Sequence, residues 1–109
     1  MKRIVKTLSL RNDPALIEEY CQVHDNIWPE IREGIKKSGI SNMEIFLLGN
    51  LAVMIVEMPD GLDEDEAFSK LATFPRQQEW ENYVSKFQDY ESDSTSAQKW
   101  QTMKRVFKL

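Results

Sequence analysis

The chain has 109 residues, 41% of them apolar, and 14 Lys plus Arg against 18 Asp plus Glu give a net charge of −4 and a pI near 5.0. That apolar content fills one compact core and not two, so a single domain over residues 1–109 is expected, and the acidic balance speaks against nucleic acid or an anionic membrane as partner. The longest apolar run, Leu51–Val56, is far short of the roughly 18 residues of a bilayer span, and no signal-type segment follows Met1, so a cytoplasmic location is expected. The lone Cys21 and lone His24 exclude an internal disulfide, a multi-thiolate zinc site and any two-histidine metal motif.

Residues 2–11 place Ile4, Leu8 and Leu10 on one parity and Val5, Thr7 and Ser9 on the other, which predicts a first strand. Asn12-Asp13-Pro14 supplies a capping side chain followed by proline at the first helical position. The helix that follows carries Ile17, Tyr20, Cys21, His24 and Trp28 at i, i+3, i+4, i+7 and i+11, and Cys21 reads as a buried core residue. Pro29 breaks or restarts the helix, Ile31 and Ile35 continue its apolar spacing, and Ser38-Gly39 stops it.

Residues 40–48 and 51–58 are apolar runs joined by Gly49-Asn50, which predicts a tight hairpin. The second run is apolar on both parities, so both of its faces should be covered. Pro59-Asp60-Gly61 is a turn, Asp63 and Glu66 resemble a capping box, and Ala67, Phe68, Leu71 and Ala72 belong to a short helix that ends by Pro75. Trp80, Tyr83, Val84 and Phe87 form the stripe of another helix, residues 88–97 read as a loop, and Thr102–Leu109 alternates as a closing strand.

This order predicts an α+β fold: a ferredoxin-like four-stranded antiparallel sheet with helices on one face. The doubly apolar strand predicts a second copy packed sheet to sheet, a dimeric α+β barrel, against the alternative of a monomer with an exposed patch.

His24 is the one side chain that exchanges protons near neutrality unperturbed. It reads either as a hydrogen-bonded core histidine or, between Tyr20 and Trp28 one turn to each side, as part of an aromatic sugar site. Trp80 and Tyr83 read equally as helix packing or as a stacking surface beside Glu81. Asp89, Glu91 and Asp93 imitate a calcium loop, but Ser94 and Trp100 stand where it needs glycine and glutamate. The four glycines are scattered, so no phosphate-binding loop is present.

The run from Glu18 to Ile31, followed by Ser38-Gly39-Ile40-Ser41-Asn42 and Glu44-Ile45-Phe46-Leu47, resembles the L-rhamnose mutarotase family through its Tyr-x-x-x-His-x-x-x-Trp-Pro-Glu signature. Trp80 and the closing Val106-Phe107 extend the likeness over nearly the whole chain. The resemblance implies a dimeric ferredoxin-like barrel that interconverts the α and β anomers of a 6-deoxy-hexose with no metal or cofactor. It also implies that His24 is the proton donor and that Tyr20 contacts the sugar.

The rhamnose enzymes of the family typically carry a tyrosine and a second tryptophan at two sugar-contacting positions where this chain has Met43 and Glu81. L-Fucose therefore ranks slightly ahead of L-rhamnose as substrate. In the expected mechanism His24 is the acid at the ring oxygen, oriented by Tyr20, with Glu81 or Glu44 as complementary base. Trp28 and Trp80 hold the apolar face of the sugar and Asn42 binds a hydroxyl. Two rival readings are a dimeric-barrel monooxygenase, haem-dependent on His24 or cofactor-free, and a module of the same fold that binds sugar without catalysis.

Overall fold

The computed structural model describes residues 1–89 and 99–109. Its elements run β1 (Lys2–Ser9), α1 (Pro14–Asp25), α2 (Pro29–Lys37), β2 (Asn42–Leu48), β3 (Leu51–Met58), α3 (Glu64–Leu71), α4 (Gln77–Val84) and β4 (Gln101–Thr102). The strands form one antiparallel sheet in the order β2-β3-β1-β4, and the helices cover one of its faces. This is the ferredoxin-like α+β arrangement.

Local chemistry starts and stops the elements. Asp13 caps α1, its Oδ1 accepting from the backbone N–H of Ala15 at 3.0 Å and Leu16 at 3.4 Å, with Pro14 in the first turn. Asp63 caps α3 by accepting from the Glu66 N–H at 3.0 Å. Gly49 takes φ 60 in the two-residue turn that pairs Leu48 with Leu51, and Gly39 leaves α2 at φ 101, where a side chain would also meet Leu62.

The core lies between sheet and helices. Leu8 and Leu10 of the first strand region, Ala52, Met54, Val56 and Met58 of β3, and Ala67, Phe68, Leu71, Trp80 and Val84 from the helices are buried there. Lys6 shares this core face of β1, with 4% of its surface exposed; its ammonium pairs with the Glu64 carboxylate and lies 4.8 Å from the centre of the Phe68 ring. Glu64 also accepts from the Thr102 hydroxyl at 2.7 Å, which ties the start of β4 to α3.

Three expectations are corrected. Cys21 is exposed, because α1 turns only the Tyr20 side of its stripe fully inward. Trp28 is off the helix: α1 ends at Asp25, and Trp28 has an extended backbone as the residue before α2 and before Pro29, which disfavours helical geometry there. The closing strand is two residues long and not eight, since only Gln101 and Thr102 pair in register with β1, Met103 adds one N–H bond to the Val5 carbonyl, and residues 103–109 lie exposed. The loop expected over 88–97 falls mostly, from residue 90, outside the described residues, as does most of the rejected calcium motif.

The face of the sheet away from the helices is open within one chain. Leu51, Val53 and Ile55 of β3 point to it, with Phe46 at 53% and Leu48 at 81% exposure on β2. Both faces of β3 are apolar, and one chain covers only one of them.

Candidate functional site

His24 stands on the last turn of α1. Its Nδ1 lies 2.8 Å from the carbonyl oxygen of Tyr20, so Nδ1–H donates to that oxygen and Nε2 is the atom left for chemistry. Burial lowers its pKa from the usual 6.5, with the Tyr20 carbonyl and Asp25 pulling the other way. The imidazole is thus neutral at pH 7, with its lone pair on Nε2.

Aromatic rings hold it there. The His24 ring is 4.2 Å from that of Tyr20 and meets Trp80 edge-on at 5.4 Å. Trp80 in turn contacts Trp28 at 5.2 Å, and Trp28 stacks on Tyr83 at 5.8 Å with 14° between planes. The Arg76 guanidinium covers Trp28 from 4.2 Å and is itself paired with Glu30 and Glu79. Tyr20 is 2% exposed, and burial, with a smaller contribution from Cys21, raises the pKa of its hydroxyl, which stays protonated.

A cavity of about 370 Å³ opens beside His24, within the ~300–1,000 Å³ range of small-molecule sites. One side is Ile27, between α1 and α2, with Arg32, Ile35 and Lys36 of α2; the other is Ile40 and Ser41 leading into β2, with Asn42, Met43 and Ile45 on it. Apolar side chains dominate the wall, and its charges are two cations.

Of the residues expected from sequence, His24, Asn42 and Met43 share this wall, Tyr20 and Trp80 contact the His24 ring, and Trp28 lies behind Trp80. The Asn42 amide donates to Glu57 at 3.1 Å across the strands. Glu81 is off this wall: 2% exposed, it accepts from the Gln77 amide at 3.5 Å, and its backbone carbonyl accepts from the Lys99 ammonium at 3.2 Å. Glu44 is exposed on the open face of β2, also off the wall. Arg32 and Lys36 were not anticipated as wall residues; their i, i+4 spacing on α2 was the available signal, since it puts both on one helix face. Among the described residues no three His, Cys, Asp or Glu side chains converge as a metal site would need, and no helix is long and apolar enough to cross a membrane.

The antiparallel sheet with helices on one face thus carries a small cavity bordered by a neutral, aromatic-flanked histidine. Comparison gives the family. The model for L-rhamnose mutarotase matches residues 3–109, and the chain belongs to that family of carbohydrate isomerases. It is 32% identical over 111 residues to an L-fucose mutarotase of Xanthomonas campestris, covering 100% of this chain and 89% of the relative. A UPF0734 protein of Dictyostelium discoideum is 38% identical over 112 residues, covering 99% of this chain and 90% of the relative. The crystal structure of an L-rhamnose mutarotase of Formosa agariphila superposes with a TM-score of 0.71 at 17% identity, covering 100% of this chain and 99% of the other, which establishes the shared fold.

Proposed function

We propose that the chain, as one domain, is a cytoplasmic sugar mutarotase that interconverts the anomers of a 6-deoxy-hexose, with L-fucose ahead of L-rhamnose. One observation carries this: the family match spans residues 3–109, and His24, on the cavity wall, contacts the rings of Tyr20 and Trp80, with Trp28 against Trp80.

Anomer exchange opens the ring and closes it on the other face of the aldehyde. Opening removes the proton of the anomeric hydroxyl, forms the carbonyl, breaks the bond from C1 to the ring oxygen and puts a proton on that oxygen. The two oxygens share one carbon, so one imidazole can serve both. Neutral His24 takes the hydroxyl proton at Nε2 and, as imidazolium, delivers it to the ring oxygen; closure reverses the transfers. Its proton-donor role thus follows a step as base, and Glu81 or Glu44 is needed only if a second base operates. Tyr20 sets the tautomer through its carbonyl and supports the ring from below. Ile27, Ile35, Ile40, Ile45 and Met43 suit the C6 methyl and the apolar face of the sugar, and Trp28 and Trp80 back that surface. Ser41, Asn42, Arg32 and Lys36 supply donors for hydroxyls. Met43 and Glu81, where the family's rhamnose enzymes typically carry tyrosine and tryptophan, are the basis for ranking L-fucose first.

The open sheet face supports a homodimer, because Phe46, Leu48 and Leu51 together form an apolar patch that a second copy would cover. Saturation-transfer NMR between the anomeric protons of L-fucose, L-rhamnose and D-galactose tests the activity. Acceleration for the first two sugars is expected; binding without acceleration of any sugar would leave a sugar-binding module.

A further inference from the structure

We propose that Arg76, gripped by Glu30 and Glu79, is a positioning residue of the His24 site: it fixes the Trp28 and Trp80 rings against which the imidazole rests. Its effect on catalysis rests on the mutarotase reading above; its effect on His24 rests on side-chain geometry alone.

Arg76 breaks two local rules at once. Its backbone is left-handed, φ 65 and ψ 2, and among the described residues no other residue except glycine has a positive φ. A long side chain adopts that region at a cost that glycine avoids. Arg76 is also the residue before α4, where a short side chain that accepts from the first turn is favoured; arginine has no acceptor, and no side-chain cap bond is made there. Neither the turn nor the helix calls for arginine. Its ion pairs do not account for it either, because the side chains of Arg76, Glu30 and Glu79 are 41%, 44% and 60% exposed, and exposed pairs contribute little to stability. Backbone strain without a matching gain in stability marks a residue kept for a site.

The arrangement joins the two tryptophans. The Arg76 guanidinium lies over Trp28, 4.2 Å from the ring centre, while the Arg76 carbonyl accepts from the Trp80 N–H at 2.9 Å at the start of α4. One residue thereby holds Trp28 through its side chain and Trp80 through its main chain. Two acids fix the guanidinium. Glu79 accepts at both oxygens, from Nε at 3.3 Å and Nη2 at 3.0 Å, and Glu30 accepts from Nη1 at 3.3 Å. Glu79 is on α4 and Glu30 on α2, so the grip spans the two helices. Glu30 also closes the Trp-Pro-Glu part of the signature, and Arg76 is its one side-chain partner among the described residues. From this clamp to the imidazole is a short chain of rings: Trp28 meets Trp80 at 5.2 Å and Trp80 meets His24 at 5.4 Å, both edge-on. Arg76, Glu30 and Glu79 are off the cavity wall, so they act through those rings and not on the sugar.

The single histidine of the chain gives one imidazole NMR signal, which reports on the site without sugar. Arg76→Gly suits the left-handed backbone and removes the guanidinium; Glu30→Ala removes its acceptor on α2. With the indole pair loosened, water reaches the imidazole, and the His24 pKa, held below 6.5 by burial, should rise toward 6.5 in both variants. Charge alone would raise it when the cation is removed and lower it when the anion is removed, so a rise in Glu30→Ala marks positioning. In anomer exchange of L-fucose both variants should lower kcat, Arg76→Gly by about 10- to 100-fold and by more than KM changes, beyond any loss of folded fraction in urea unfolding. The double variant should lose no more than Arg76→Gly alone, because both substitutions act through one guanidinium. An unchanged His24 titration in Arg76→Gly, or an unchanged kcat where the intact chain is active, would overturn the proposal. So would a lowered His24 pKa in Glu30→Ala, or kcat losses that multiply in the double variant. If the intact chain accelerates no sugar while the His24 pKa rises in both variants, the mutarotase reading falls and the clamp stands.

Discussion

Replacing His24 with alanine separates catalysis from packing, because the structure gives a figure for each. The side chain contributes two ring contacts, to Tyr20 at 4.2 Å and Trp80 at 5.4 Å, each worth about 0.5–1.5 kcal/mol. It also makes one hydrogen bond to the Tyr20 carbonyl, worth about 0.5–1.5 kcal/mol. His24→Ala should therefore cost about 1.5–4.5 kcal/mol of stability, within the ~5–15 kcal/mol that a domain typically has. The fold should survive. Loss of the proton-transfer group should lower anomer exchange by about 10²–10⁴, or ~3–5.5 kcal/mol of barrier. Urea unfolding measures the first quantity and exchange NMR on L-fucose, corrected for the folded fraction, the second. Exchange within a few-fold of wild type would refute the assignment and return His24 to a packing role.

Exchange should also follow the neutral form of His24. Burial holds its folded pKa below 6.5, so the rate should be flat from pH 7 upward and fall only below pH 6.5, and a rate–pH profile that drops between pH 7 and 8 would contradict this. For stability the sign is the same: the unfolded chain binds the proton more readily, so stability contributed by neutral His24 is present above pH 6.5 and declines as pH falls toward the folded pKa. Met43→Tyr, combined with Glu81→Trp, should move preference from L-fucose toward L-rhamnose by about 5- to 150-fold, from ~1–3 kcal/mol for a gained or lost polar match, with Glu81→Trp also costing stability through overpacking of a buried position. An unchanged ratio of the two exchange rates would put both residues outside the sugar's reach. Lys6→Met should cost about 3 kcal/mol in urea unfolding at pH 7 by stranding the Glu64 carboxylate. Burial raises the Glu64 pKa, but its bonds from Lys6 and Thr102 outweigh this and hold it below 4.5, so the pair stabilises above that pH and the gap between variant and wild type should close as pH falls through the lowered value.

Sequence logic read the frame well where the signal is local. A capping aspartate before proline, a Gly-Asn turn between two apolar runs and an i, i+3, i+4 stripe each depend on a few neighbouring residues, and α1, the hairpin and α4 appear where they point. It misread features decided by distant partners. Lys6 lies on the same parity as Ile4 and Leu8, and only the arrival of Glu64 and Phe68, some sixty residues on, explains a cation in the core. Alternation in residues 102–109 described a strand correctly as a pattern, but pattern says nothing of whether a neighbour is there to pair with, and in one chain only two residues find one.

The candidate site shows the same limit at the scale of one helix turn. Tyr20 and His24 share a face because they are four residues apart, and Trp80 joins them from 56 positions away because α4 packs against α2, with Trp28 at the start of α2 meeting Trp80 and Tyr83. Trp80 and Glu81 are consecutive, which made them look like one stacking surface with a carboxylate beside it. On an α-helix, however, successive residues point about 100° apart. Trp80 turns toward His24, and the Glu81 carboxylate turns toward the Gln77 amide, one turn back on the same helix. Glu81, beside Trp80 in sequence, is therefore on a different wall of the fold. In the proposed mechanism the proton transfers therefore fall to His24, which borders the cavity and can reach both oxygens of the anomeric carbon from one position.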